Sequence, residues 1–119
     1  MKTVEEIKAE KASLVVTYGL VSALILTPTE DDGDDHDPAA KLEYVIVRKP
    51  TRVEYARFVD KRTSDDKAAL SGEMHDLVRA VCVAPDKDGV RSLLDKYPAA
   101  QGQILAEALR LAGSKAKKV

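Results

Sequence analysis

Residues 42–60 of the chain read Leu-Glu-Tyr-Val-Ile-Val-Arg-Lys-Pro-Thr-Arg-Val-Glu-Tyr-Ala-Arg-Phe-Val-Asp. The β-branched and aromatic residues of the first part predict a strand over 42–48. Pro50 ends this strand, and its ring disfavours a helical backbone at Lys49. Thr51 and Glu54 then have the capping-box spacing of a helix start. The predicted buried stripe of that helix is Tyr55, Phe58 and Val59.

The sequence before this stretch predicts one helix and one more strand. Thr3 and Glu6 again have capping-box spacing, and the helix that follows is expected to end at Gly19. Residues 20–27 then predict a strand. Because a short connection favours antiparallel neighbours, strands 20–27 and 42–48 are predicted to pair as a long-looped hairpin.

The sequence after residue 60 predicts three further helices. Ser64, Asp65 and Asp66 supply a cap and two carboxylates at the start of the first of them. Proline and glycine residues then separate the remaining apolar repeats. The expected core positions are Leu70, Met74, Leu77, Val78 and Val81, then Val90, Leu93, Leu94 and Tyr97, and finally Ile104, Leu105, Ala108, Leu109 and Ala112.

These segments together predict a mostly helical α+β fold: an N-terminal helix, a long-looped antiparallel hairpin and about four short helices packed on it. Residues 1–113 are expected to form one compact domain. Within it, residues 28–40 are expected to be an acidic, flexible hairpin loop, and residues 114–119 a disordered basic tail.

Composition and charge exclude several function classes. The formal net charge is −1, and the aromatic residues are only four Tyr and one Phe, so we expect neither the basic face nor the stacking platform of a nucleic-acid binder. The apolar run 14–26 is too short and too often interrupted to span a bilayer, and an acidic segment precedes it where a signal peptide would be basic. A lone cysteine, Cys82, fits a reducing cytoplasm.

We find no convincing catalytic or cofactor pattern, so neither a catalytic residue nor a cofactor is expected. The carboxylates of residues 30–37 lack the order of ligands in a calcium loop, which favours a solvated loop over a metal site. His75 and Cys82 are expected on the same helix, seven residues and about 10 Å apart along its axis, too far for a thiol-activating hydrogen bond. We therefore expect a buried structural cysteine and a surface histidine. The glycines never cluster into a phosphate-binding loop.

Several motifs in order resemble a known family of proteins. They are residues 3–9 (Thr-Val-Glu-Glu-Ile-Lys-Ala), Tyr18-Gly19, residues 45–55 (Val-Ile-Val-Arg-Lys-Pro-Thr-Arg-Val-Glu-Tyr), residues 81–86 (Val-Cys-Val-Ala-Pro-Asp), residues 94–98 (Leu-Asp-Lys-Tyr-Pro) and residues 109–113 (Leu-Arg-Leu-Ala-Gly). In this order they resemble the small tail assembly chaperones of tailed bacteriophages and prophages, over nearly the whole chain.

This resemblance implies a non-enzymatic protein that transiently binds the tape-measure protein and keeps it soluble in the bacterial cytoplasm. The tail tube protein is a second candidate partner. The chaperone would leave during tube assembly and be absent from the mature virion. The resemblance transfers no catalytic residue, and neither nucleic acid nor membrane is an expected partner.

We expect any partner contact near the strand edge and the proline junction, because a hairpin leaves at least one unpaired backbone edge. The residues predicted to form or support a partner-facing surface are Val45, Val47, Pro50, Tyr55 and Phe58.

Two other hypotheses remain open. One is a structural subunit, phage or cellular, that self-associates through the hairpin edge and stays in the assembled particle; a homo-oligomer is thus left open. The other is a metal-dependent enzyme or sensor that uses the acidic loop.

Overall fold

The computed structural model describes residues 1–27, 39–62 and 66–113, with the backbone alone described at Ala69. A three-stranded antiparallel sheet lies between one helix on one face and four helices on the other. The elements in chain order are α1 (Val4–Tyr18), β1 (Val21–Leu26), β2 (Glu43–Arg48), α2 (Arg52–Arg62), α3 (Lys67–Val81), β3 (Cys82–Ala84), α4 (Lys87–Lys96) and α5 (Ala100–Ala112).

The sheet has the strand order β1-β2-β3, so β2 is central. Strand β1 pairs with β2 in a regular register that places Val21 opposite Arg48 and Leu26 opposite Glu43. Strand β3 pairs with the end of β2 through a bulge between Ile46 and Val47. The N-terminal segment covers the same edge of β2 further along, because the backbones of Lys2 and Leu42 exchange hydrogen bonds of 3.0 and 2.7 Å.

Alternation along the strands sends side chains into two separate cores. The larger core joins one face of the sheet to α2–α5, and it includes Val45 and Val47, which are fully buried. The smaller core joins the opposite face to α1, where Ile7 packs near Tyr44 and Ile46. The central strand β2 is therefore covered on both faces.

The fold class predicted from the sequence is confirmed: the chain is a small, mostly helical α+β protein with an antiparallel hairpin and four helices after it. Both capping boxes are present, with the Glu6 N–H 3.3 Å from Thr3 Oγ1 and the Glu54 N–H 3.2 Å from Thr51 Oγ1. Helix α1 ends at Tyr18, before Gly19, as predicted.

Two predictions need correction. Cys82 lies on strand β3, which was not predicted, and not on the helix that carries His75. Tyr55 does not belong to the buried stripe of α2, since its side chain is 42% exposed.

Other predictions concern residues outside the described part of the chain. They are the cap at Ser64, most of the acidic loop and the basic tail over 114–119.

Candidate functional site

Exposed apolar side chains gather where α1 turns into β1. Within six consecutive residues, Val15 is 45% exposed, Val16 88%, Tyr18 44% and Leu20 57%. Gly19 makes this turn with a φ of 75°, a left-handed conformation that favours glycine, and its N–H donates to the Val15 carbonyl at 2.8 Å. The turn is tied to the sheet because the Lys49 N–H donates to the Leu20 carbonyl at 3.1 Å.

A second exposed apolar pair lies at the start of α2. Val53 is 67% exposed and Tyr55 42%. This helix start is held to the sheet by an ion pair in which Arg48 donates two hydrogen bonds of 2.8 Å to the carboxylate of Glu54. Glu54 also accepts a 2.9 Å hydrogen bond from the Thr51 N–H. The position of Val53 and Tyr55 relative to the sheet is thus set by a bidentate pair and a helix cap.

Both groups lie at the same end of the sheet. Val21 at the start of β1 is paired with Arg48 at the end of β2. The α1–β1 turn, which precedes Val21, and the start of α2, which follows Arg48, therefore lie at the same end of the sheet. We call these six side chains the junction surface: Val15, Val16, Tyr18, Leu20, Val53 and Tyr55. Among the described residues, the other large apolar side chains with such exposure are Met1 and Ile25.

The same ion pair lies beside the junction surface and keeps its two charges matched. The hydrogen bonds from Arg48, together with the cap at Thr51, hold the pKa of Glu54 at about 2, against an ordinary value of 4.5. The pKa of Arg48 is raised, first by its hydrogen bonds to Glu54. The pair therefore stays charged at neutral pH, and its charges compensate each other beside the apolar side chains.

The predicted partner-facing residues fall into two groups. Val45 and Val47 are fully buried, Phe58 is 4% exposed and Pro50 is buried, so these four can support a surface but cannot form one. Only Tyr55 reaches solvent. The reason is that α1 covers one face of the hairpin and α2–α5 cover the other, so the strand side chains are buried in the core.

Five members of the junction surface were not predicted from the sequence. A local signal exists for two of them, the adjacent valines of α1. Val15 and Val16 are adjacent on a helix, where neighbouring side chains project about 100° apart. A helix with one buried face therefore tends to leave one of two adjacent side chains exposed. Leu20 and Val53 carry no comparable signal.

The two residues considered for chemistry, His75 and Cys82, lie on different elements, α3 and β3. Burial raises the pKa of the Cys82 thiol to about 12, which is the state of an inert structural cysteine. His75 lies on α3 with Nδ1 3.1 Å from Oε1 of Gln101 on α5. Of the cations near the proline junction, Arg48 is ion-paired and Arg57 lies 3.8 Å from Glu73.

The part of the chain that the structure describes contains no cluster of three or more His, Cys, Asp or Glu side chains suited to a metal ion. Across the same residues, no helix combines the length and apolarity needed to cross a membrane.

Comparison with protein families gives one match, to the family described as a domain of unknown function, DUF6848, over residues 16–118. The chain belongs to this family. Among solved structures, the DUF6848 chain is similar to the uncharacterised protein rbstp2171 from Bacillus stearothermophilus, with a TM-score of 0.58 and 16% identity. That similarity covers 91% of this chain and 96% of the other, and it establishes a shared fold. No curated protein matches the chain.

Proposed function

We propose that this DUF6848 chain is a non-enzymatic binding protein that acts as a phage-type tail assembly chaperone. In this proposal it binds the tape-measure protein transiently, keeps it soluble in the bacterial cytoplasm and leaves before the tail is complete. The tail tube protein is the second candidate partner. The observation that carries the proposal is the junction surface. The motif resemblance, whose segment 45–55 includes Val53 and Tyr55, supports the choice of partner.

The physical character of the junction surface suits an amphipathic helix. A partner helix buries apolar anchors in a groove or patch, and the surface offers four aliphatic side chains and two tyrosines at one end of a rigid sheet. Tyrosine rings add contact area with few rotatable bonds to immobilise. The charges of Arg48 and Glu54 are already paired, so a partner need not neutralise either one.

The energetics favour a transient complex. Fully burying an exposed valine or leucine contributes roughly 1.5–3 kcal/mol. Several half-exposed side chains together are then of the same order as the roughly 4–15 kcal/mol lost in translational and rotational freedom on association. A patch of this kind gives weak to moderate affinity on its own, which is what a chaperone that must release its client needs.

Co-expression with the tape-measure protein encoded near this chain tests the proposal. We expect the tape-measure protein to become soluble and to co-purify. Val16→Lys combined with Val53→Lys should abolish co-purification, because both side chains are among the most exposed of the junction surface and a charge there opposes apolar contact. Ser92→Lys, which adds one lysine at an exposed position of α4 near the opposite edge of the sheet, is the control for each single substitution and should have no effect.

Two results would contradict the proposal. One is an insoluble tape-measure protein beside a folded chain; the other is unchanged binding by the doubly substituted variant with a wild-type circular dichroism spectrum. Stoichiometric presence of the chain in finished particles would instead support the alternative, a structural subunit that stays in the assembly.

A further inference from the structure

Helix α1 places few of its side chains in the core. Of its 15 residues, Ile7 alone is buried against the described part of the chain, while Val4 and Leu14 pack partly against the smaller core. Helix α5 has 13 residues, and five of them are buried: Ala100, Ile104, Leu105, Ala108 and Leu111. Because most of the stability of a helix in a protein comes from packing of its apolar face, α1 is held less firmly than α5.

Glu10 of α1 lies at the centre of a polar cluster that joins this helix to the sheet. Its carboxylate accepts a 2.6 Å hydrogen bond from Lys2 Nζ, and hydrogen bonds of 2.7 and 3.0 Å from the Tyr44 hydroxyl of β2. The Glu10 side chain is 22% exposed, so these bonds are partly shielded from water. The ion pair between Lys41 and Glu6 is more exposed, at 58% and 49%, and should contribute little. Glu10 is therefore the main polar attachment of α1.

Gly19, between α1 and β1, is placed to act as a hinge. Its φ is 75°, and a Cβ built on it would meet no atom within 4 Å. The chain after it is fixed, because the Leu20 carbonyl accepts a hydrogen bond from the Lys49 N–H and Val21 pairs with Arg48. A change in the backbone angles of Gly19 therefore moves α1 without breaking the pairing of β1 with β2.

We propose that α1 is a releasable cover, which leaves the sheet as one unit by rotation at Gly19 while β1–β3 and α2–α5 stay folded. The attachments that must break are the contacts of Glu10, the packing of Ile7 and the backbone pair between Lys2 and Leu42. Release uncovers the smaller core, including the fully buried Ile46 of β2. The larger core keeps its four helices.

Release of α1 also takes the junction surface apart. Val15, Val16 and Tyr18 belong to α1, whereas Val53 and Tyr55 belong to α2. The two groups share one end of the sheet only while α1 is docked, so the docking of α1 regulates this surface. A ligand that binds the complete surface favours the docked state. The opening itself is a property of the chain alone and does not depend on the proposed function.

Hydrogen exchange of the unsubstituted chain is the first test. After correction for intrinsic rates, the hydrogen-bonded amides of α1 should exchange roughly 10–100 times faster than those of α5, with one common opening constant. Fraying of the helix would instead give protection that rises steadily from its first turn toward Tyr18. Such a gradient, or equal protection in α1 and α5, would overturn the proposal.

Thiol labelling at two adjacent positions of β2 tests which face is uncovered. In a Cys82→Ala background, Ile46→Cys reports on the face under α1, and Val45→Cys, the matched control, reports on the face under α2–α5. Both side chains are fully buried in the native chain. The Ile46→Cys variant should be labelled at least roughly tenfold faster than the Val45→Cys variant in native buffer. Equal rates would overturn the proposal, and Ala84→Cys, also in the smaller core, replaces Ile46→Cys if that variant does not fold.

Substitution of Glu10 tests the polar attachment. Glu10→Ala should speed labelling of the Ile46→Cys variant by a further factor of about ten, because hydrogen bonds to a charged group are lost. It should leave the labelling of the Val45→Cys variant nearly unchanged. Glu5→Ala, at a side chain 82% exposed, is the control, since it raises helix propensity in the same way. Equal acceleration by both substitutions, or none by Glu10→Ala, would contradict the attachment of α1 through Glu10.

Discussion

Arg48 at the end of β2 and Glu54 in the first turn of α2 form a bidentate ion pair across the proline junction, with both hydrogen bonds 2.8 Å long. The two side chains are only 15% and 25% exposed. The sharp change from strand to helix is thus fixed by a charged clamp as well as by Pro50. A largely desolvated clamp of this kind should make a measurable contribution to stability.

Acid should weaken this clamp. The pKa of Glu54 is lowered from 4.5 to about 2, so its stabilising contribution is fully present above pH 4.5 and is lost as pH falls toward 2. Glu54→Gln should reduce the free energy of unfolding by about 1–3 kcal/mol at pH 7 and by much less at pH 2. Urea unfolding at both pH values measures this. Glu5→Gln, at a side chain 82% exposed, is the control, and equal losses from both variants at pH 7 would contradict the assignment.

Removing the Tyr44 hydroxyl should loosen α1. This hydroxyl donates to the Glu10 carboxylate, with oxygen distances of 2.7 and 3.0 Å, beneath the helix. Burial, followed by the hydrogen bonding to Glu10, raises the pKa of Tyr44, so the phenol remains protonated at neutral pH. Tyr44→Phe should lower the unfolding free energy by about 1–2 kcal/mol, since a hydrogen bond to a charged group is lost. Tyr55→Phe, at an exposed ring, should change it little, and thermal unfolding that ranks the two variants the other way would refute this.

Glycine-to-alanine substitution should have opposite signs at two helical positions. A Cβ on Gly89 would lie 2.8 Å from Asp86 Oδ1 and 2.9 Å from Pro85 Cγ, so it would push on the carboxylate that caps α4 at a distance of 2.6 Å. Gly89→Ala should therefore destabilise the chain by about 1–3 kcal/mol. A Cβ on Gly102 would meet no atom within 4 Å, so Gly102→Ala should stabilise the chain by about 0.5–1 kcal/mol. Chemical denaturation compares the two, and a stabilising Gly89→Ala would show that the cap is not strained by the added methyl.

The Cys82 thiol should react slowly in the folded chain. Burial raises its pKa to about 12, so very little thiolate exists at pH 8. Ellman's reagent should therefore modify the native chain far more slowly than the chain in guanidinium chloride, which serves as the internal control. Equal rates in the two states would mean that the thiol is accessible and ionised in the native fold.

Local signals explain which elements could be predicted. The capping boxes at Thr3 and Thr51 and the helix end at Gly19 depend on residues a few positions apart, and the structure confirms all three. Strand β3 could not be predicted in this way, because Cys82–Ala84 lies where the helix pattern ends before Pro85 and becomes a strand only by pairing with β2.

The candidate site was harder to predict than the fold, because the sequence does not show on how many faces helices cover the sheet. Val45 and Val47 were expected to form or support a partner surface because a hairpin leaves at least one unpaired backbone edge. The sequence does not say how many helices cover the two faces of that hairpin. In the structure both faces are covered, and the exposed apolar residues lie at the strand ends instead. Which side chains remain exposed is therefore decided by contacts between distant parts of the chain.

The central position of β2 has a consequence for motion. Its side chains at Val45, Ile46 and Val47 are fully buried, and neighbours occupy its backbone on both sides. Amide hydrogens of β2 that are hydrogen-bonded to a neighbouring strand should exchange with solvent only when the whole chain unfolds. The slowest amides of β2 would then report the global free energy of unfolding directly, under fully native conditions.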